Sequence, residues 1–292
     1  MQKHTDAGNL WRKGLARPDG TLAARVTDAE IERDFWKTRA ESGLPGRDNY
    51  ARQVWQALSA LCDGQGIHTV LEIGPGWGNY TFPLLERFDS VTAVDISPDN
   101  LLLLSRRATE MGRRLNTVCA AWEEADVAPH DLVFAYNCFY RLTEPELFFE
   151  KLDAAARKLC VIGMNRPPEL PWLKDMVDAG LPVHYTRQGC EEMQEILTSI
   201  GIAARRLDIP NTRHYVYPDQ TALLRRARSF LLKPATDEAL LPLLLPYHTC
   251  QPDGSLVNAY QFTSQLLVWE PVHATNPEYG SGLEYTRRKD NP

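Results

Sequence analysis

The chain has 292 residues, with 32 lysines and arginines against 38 aspartates and glutamates, so its formal net charge is −6. That length is enough for one large domain or two small ones to bury a core without disulfide or metal staples. The acidic balance argues against a general nucleic-acid binder built on a basic surplus, and 43% hydrophobic with 24% charged residues excludes a disordered or fibrous chain.

In chain order, residues 1–25 are polar, lack apolar periodicity and read as an extension. From Thr27 to Cys62 apolar residues recur at helical spacing: Ile31, Phe35 and Trp36, then Val54, Leu58 and Leu61. This predicts two helices, split by the breakers Gly43, Pro45 and Gly46. Thr27 followed by Glu30 is a capping-box pattern that marks the first start. The rhythm changes at His68. Short apolar runs at 69–73, 90–96, 116–120, 131–136 and 158–164 alternate with helices near 81–87, 99–111 and 144–158. Runs without polar alternation suit parallel strands buried on both faces, and their alternation with helices predicts a doubly wound α/β sheet. A proline-rich stretch, 166–182, comes next. It is followed by a helix at 190–199, a strand near 203–209, helices at 219–232 and 237–245, and a last strand at 264–272. The expected division is residues 1–62 as N-terminal extension and helices forming part of a lid, 63–272 as the main domain, and 273–292 as a polar tail.

The sharpest chemical signal is Glu72-Ile73-Gly74-Pro75-Gly76-Trp77-Gly78, which closes the first strand and opens a helix. Glycines there let the backbone turn tightly and approach a ligand. Such a loop means little without an acidic residue about 20 residues later, and Asp95 supplies it at the end of the second strand, where a carboxylate accepts ribose hydroxyls. A dinucleotide site requires Gly-x-Gly-x-x-Gly, but Asn79 stands where the third glycine would fall. Glu72 beside a diphosphate would be an awkward charge. A cofactor carrying an amine and a sulfonium tolerates it, so charge favours S-adenosylmethionine over NAD.

Six cysteines lie far apart with no Cys-x-x-Cys pair, and no His-Glu-x-x-His spacing occurs, so no metal site is expected. Cys138, among apolar neighbours, reads as a buried thiol. No apolar run approaches the roughly 18 residues of a membrane span, and the segment MQKHTDAGNLWRKG has no apolar leader core. The expected location is cytoplasmic.

With Glu72–Gly78, Val94-Asp95-Ile96-Ser97 and Asp131-Leu132-Val133-Phe134-Ala135-Tyr136-Asn137, the chain resembles the class I S-adenosylmethionine-dependent methyltransferases over roughly 30–272. That resemblance implies a Rossmann-like seven-stranded sheet, parallel except for a reversed last strand, with N-terminal helices and a lid insertion. It also implies S-adenosyl-L-methionine as cofactor. Glu72, Gly74, Pro75, Gly76 and Gly78 would lie against its methionine part and Asp95 on the ribose. Ile96 would pack on the adenine, Ala121 and Trp122 at the adenine edge, and Asn137 would face the methyl group. Members acting on nucleic-acid bases often carry Asn/Asp-Pro-Pro-Tyr/Phe after the fourth strand. Asn137-Cys138-Phe139-Tyr140 lacks both prolines, which favours a small-molecule acceptor and no nucleic-acid or membrane partner.

Methyl transfer from a sulfonium needs alignment and exclusion of water, with a general base only where the acceptor must first lose a proton. Tyr140 and His184 are the catalytic candidates, with Tyr136 and His214 as further possible bases. A lid of the N-terminal helices and residues 166–190 is expected, touching the acceptor through Trp172, His184 and Tyr185. Three other readings stay open: a methyltransferase acting on protein or RNA, a non-catalytic cofactor-binding module, and an NAD-dependent oxidoreductase. The sequence specifies neither the methylated atom nor the oligomeric state.

Overall fold

The structure, a computed structural model, describes residues 4–16, 20–41, 51–166, 170–183 and 188–272. The segment expected to be an extension contains a helix, α1 (Asp6–Leu15), whose N-cap Thr5 accepts the Gly8 N–H through its side chain. Its anchor is Trp11, 2% exposed, whose Nε1 donates to the Leu142 carbonyl at 2.8 Å. One buried aromatic creates no periodicity, which is why the sequence pattern missed this helix. Helix α2 (Ala24–Thr27) precedes α3 (Ala29–Glu41). Asp28, not Thr27, caps α3: its carboxylate accepts the N–H groups of Glu30 and Ile31 at 2.8 and 3.2 Å. Helix α4 (Ala51–Leu61) buries Ala51, Val54 and Leu58.

The chain then runs β1 (Thr69–Ile73), α5 (Thr81–Arg87), β2 (Ser90–Asp95), α6 (Pro98–Glu110), β3 (Asn116–Cys119) and β4 (His130–Tyr136). It continues through α7 (Pro145–Ala155), β5 (Ala156–Asn165), α8 (Pro171–Asp178), α9 (Cys190–Ser199) and β6 (Arg205–Tyr217). Helices α10 (Gln220–Arg228) and α11 (Asp237–Leu244) and strands β7 (Thr249–Cys250) and β8 (Leu256–Trp269) complete it. The strand order is β3-β2-β1-β4-β5-β8-β6, with β1 to β5 parallel and β8 antiparallel to both β5 and β6. The reversed last strand of the expected seven is therefore present, and the two-residue β7, paired to β8, makes an eighth.

Strands β6 and β8 are longer than their apolar runs. Beyond the run at 264–269, β8 alternates buried Leu256, Asn258, Tyr260 and Phe262 with exposed Ala259 and Gln261. Such half-exposed strands read as polar sequence unless period two is sought. Tyr215 of β6 stacks on Tyr260 of β8 at 5.1 Å.

Each strand sends alternate residues to two cores. Phe134 joins Leu58, Leu84, Trp172 and Leu244 on one face, while Val133 and Ala135 join Trp11, Phe149 and Ile196 on the other. This packing corrects the expected lid. The α8 part of 166–190 belongs to the first core: Trp172 is fully buried edge-on to Phe230, Asp175 accepts the Tyr247 hydroxyl at 2.5 Å, and Val183 bridges Leu231. The apolar stripe Trp172, Leu173, Met176 needs a partner, and α10 and α11 supply it. His184 and Tyr185, expected on the lid, lie outside the described residues, as does 273–292.

Candidate cofactor and acceptor site

At the carboxyl end of β1, Gly74, Gly76 and Gly78 hold φ of 62°, 52° and 76°. The Gly74 N–H donates to Val94 at 2.9 Å, and a Cβ at Gly74 would lie 2.6 Å from the Cys138 Cβ, so the loop presses against the exit of β4. Gly78 differs from its sequence assignment. It does not line the cavity, and a Cβ there would lie 2.5 Å from the Phe82 ring and 2.7 Å from Leu104. Its bareness serves the packing of the loop on α5 and α6.

A cavity of about 540 Å³ opens beyond the strand ends, at the place where parallel α/β sheets bind ligands. Glu72, Gly74, Pro75, Gly76, Asp95, Ile96, Ala121, Trp122, Asn137 and Tyr140 all line it. Glu72 is 1% exposed and accepts the Thr81 hydroxyl at 2.6 Å. Burial, with the nearby Asp95 charge adding to it, pushes its carboxyl up to about 8. Burial likewise raises Asp95 to about 6, against the N–H of Ser97 at 2.8 Å and the amide of Asn100. Asn100 also donates to the Gly76 carbonyl at 2.9 Å, tying the loop to the acid.

Lys151 fixes the turn after β3. Its ammonium donates to the carbonyls of Trp122, Glu123 and Ala125 at 2.7, 3.0 and 2.7 Å and lies 4.7 Å from the Trp122 ring centre. Trp122 is both wall and core, its Nε1 donating to Phe148. Asn137, with φ of 55°, is the one non-glycine at positive φ among the described residues. Such conformations cost energy and tend to mark functional turns. Burial pushes the Cys138 thiol up to about 12, as expected of an inert thiol.

Helix α3, in the N-terminal stretch expected to be part of a lid, lines the cavity through Glu32 and Trp36, but sequence reasoning did not single out Glu32. Glu32 of α3 is fully buried; it pairs with Arg25 at 2.7 Å and accepts the Trp36 Nε1 at 2.6 Å and the Tyr140 hydroxyl. Burial opposes ionisation of Glu32, but these donors hold its carboxyl below its ordinary range, whereas burial and then the bond to Glu32 raise the Tyr140 phenol. Arg33 donates to the Ile96 carbonyl at 3.3 Å, so α3 spans from the end of β2 to the turn after β4. One legible signal existed. Glu32 sits one turn before Trp36 on the same helix face, while the apolar Ile31 is 43% exposed.

Residues 70–159 match a family model described as a methyltransferase domain. A dimethyladenosine transferase of Schizosaccharomyces pombe is 29% identical over 125 residues, 42% of this chain and 40% of that protein. The ribosomal RNA small subunit methyltransferase A of Dichelobacter nodosus is 34% identical over 97 residues, 32% of this chain and 36% of its own. The chain thus spans less than half the length of these curated relatives. Among solved structures, the N-methyltransferase NodS of Bradyrhizobium japonicum with S-adenosyl-L-homocysteine superimposes at a TM-score of 0.49 and 14% identity, covering 82% of this chain and 98% of that one. Residues 70–159 are thus similar to a methyltransferase domain, and they hold β1 to β4 and the start of β5 in the parallel part of the sheet. S-adenosylmethionine is the cofactor of methyltransferases of this kind, and the residues present suit it: ionised, the buried Glu72 and Asp95 beside the loop would attract its cationic groups and repel a diphosphate.

Proposed function

We propose that this chain transfers a methyl group from S-adenosylmethionine to a small-molecule acceptor. The observation that carries the reading is the cavity's charge and roof. Among the described residues its wall holds Glu32, Glu72, Asp95, Glu123 and Glu124 against Arg141 alone, and α3 closes over the loop side. Such a wall repels a phosphate backbone and accepts a neutral or cationic metabolite. When bound, the cofactor supplies an activated methyl group. In this reading Glu72 and Gly74 to Gly76 hold its methionine part, Asp95 its ribose, and Ile96, Ala121 and Trp122 its adenine. Tyr140 serves by bracing Glu32 rather than as a base, since its proton is committed there. Among residues 1–62, α2 and α3 form the roof of the 63–272 body, and the protein works in the cytoplasm as an enzyme; among the described residues no helix is long and apolar enough to cross a membrane.

A second reading, methylation of RNA, is favoured by the two ribosomal RNA and dimethyladenosine relatives and by the exposure of Asn137 at the cavity mouth. Incubating the protein with methyl-labelled cofactor and either an RNA pool or a metabolite extract separates the two. Label in the metabolite fraction supports the first reading, and label confined to RNA replaces it with the second.

A further inference from the structure

The turn leaving β4 carries donors that the cofactor reading does not use. Asn137 is held to β5 at both ends: its N–H donates to the Gly163 carbonyl at 2.9 Å, and its Oδ1 accepts the Asn165 N–H at 2.9 Å. A backbone N–H only donates, so the side-chain atom facing it is the amide oxygen, and Nδ2 is the group left over. That Nδ2 has no partner among the described residues, and Asn137 lines the cavity. Its φ of 55° is a cost of the kind retained where a turn serves a ligand.

Arg141 follows in the same turn and lines the same cavity. Among the described residues its guanidinium makes one long bond, to the Val26 carbonyl of α2 at 3.4 Å, and no ion pair. Most of its N–H donors are therefore uncommitted.

The charges of the wall are segregated. Glu72 and Asp95 stand at the ends of β1 and β2, and Glu123 and Glu124 on the turn after β3. Glu32 is already bonded to Arg25, Trp36 and Tyr140. Between residues 137 and 143 Arg141 is the one charged side chain. The acidic wall thus gives way at the β4 exit to a cation and a neutral donor. An amine alone would leave Arg141 unmatched, and an anion alone would meet the acids. A molecule with a positive end and a carboxylate suits both, and it is neutral overall.

We propose that Asn137 and Arg141 form a carboxylate subsite, so that the methyl acceptor is a zwitterionic amino acid. The inference rests on the small-molecule reading above, in which the β1 loop, the end of β2 and the turn after β3 take the cofactor and leave the β4 turn to the acceptor. Arg141 supplies the planar donor fork that matches a carboxylate, and Asn137 adds an amide donor from the end of a strand.

Calorimetric titration of the full chain saturated with S-adenosylhomocysteine tests this with matched probes: alanine, ethylamine and propionate, then phenylalanine, phenethylamine and hydrocinnamate. In at least one set the zwitterion is expected to bind about tenfold or more tighter than the amine or the acid. Arg141→Gln should erase that margin, and Arg141→Lys should keep part of it, because lysine retains the charge without the fork. Asn137→Asp keeps an oxygen for the Asn165 N–H, so the turn should hold while the donor becomes a carboxylate oxygen. It should shift the preference toward the amine, which a merely structural loss would not do. S-adenosylhomocysteine affinity should stay within about threefold in all three variants. Zwitterions bound no tighter than the amines, no binding of any probe, or variants that keep the full margin would overturn the proposal. So would a parallel loss of about tenfold in S-adenosylhomocysteine affinity, which would give the subsite to the cofactor's own carboxylate. Failure of the parent to bind S-adenosylhomocysteine would instead overturn the methyltransferase reading.

Discussion

Glu32 and Tyr140 stand 108 residues apart in sequence, yet the phenol donates to the buried carboxylate across the mouth of the cavity. The bond joins the roof helix α3 to the turn leaving β4, and Arg25 and Trp36 complete the carboxylate's donors. Replacing Glu32 with Gln removes the charge from a charge-assisted cluster worth about 1.5–3 kcal/mol per bond. The expected consequence is local: backbone amides of 24–41 should exchange faster with solvent while the melting temperature moves little. Hydrogen exchange checks this, and unchanged protection over 24–41 would show that the cluster does not hold the roof.

Ligand binding should depend on pH with a definite sign. Glu72, raised to about 8, and Asp95, raised to about 6, bind protons in the free protein that a cationic ligand displaces. Cofactor affinity should therefore rise with pH through 6 to 8 and level off above. For the free protein the sign is opposite. A carboxyl raised in the folded state contributes stability below its unfolded value near 4.5, and that contribution is lost as pH rises through about 8. Glu72→Gln should then stabilise the unliganded fold at pH 8 while weakening cofactor binding. Calorimetry in buffers of differing ionisation enthalpy counts the released protons.

Helix α1 should undock in acid. Burial works against the charge of Glu146, but hydrogen bonds from Arg12 and the Thr5 N–H hold its carboxyl down to about 2. Its stabilisation is full above the unfolded value near 4.5 and is lost as pH falls toward 2. Trp11→Ala should cost about 3–5 kcal/mol, read as a lowered melting temperature.

Gly78→Ala should lower stability by about 1–3 kcal/mol, because its Cβ meets Phe82 and Leu104 at a φ of 76°. A melting temperature equal to the parent's would show that the loop relaxes freely.

What the sequence disclosed follows from which physics is local. β1 and α5 appear at their expected bounds, because continuous apolar runs and a glycine turn are written in adjacent residues. Asp95 and the loop could be paired because the class fixes their separation along the chain. The helix α1 was hidden because Trp11 finds its partner at Leu142, far along the chain. The α8 part of the expected lid went wrong for a similar reason: α8 offers the same apolar stripe whether it covers a cavity or packs on α11, and only tertiary contact decides. Glu32 was passed over because a charge on a helix is usually solvated, and its burial depends on three partners from elsewhere in the chain or one turn away.

The central claim is that Glu72, Asp95 and the Gly74 to Gly76 loop form an S-adenosylmethionine site. Calorimetric titration of the parent and Asp95→Ala with S-adenosylhomocysteine and with NAD tests it most directly. The account expects saturable binding of S-adenosylhomocysteine, weakened at least roughly tenfold by Asp95→Ala, the equivalent of about 1.4 kcal/mol, and no saturable binding of NAD. Saturable NAD binding with none of S-adenosylhomocysteine would contradict it.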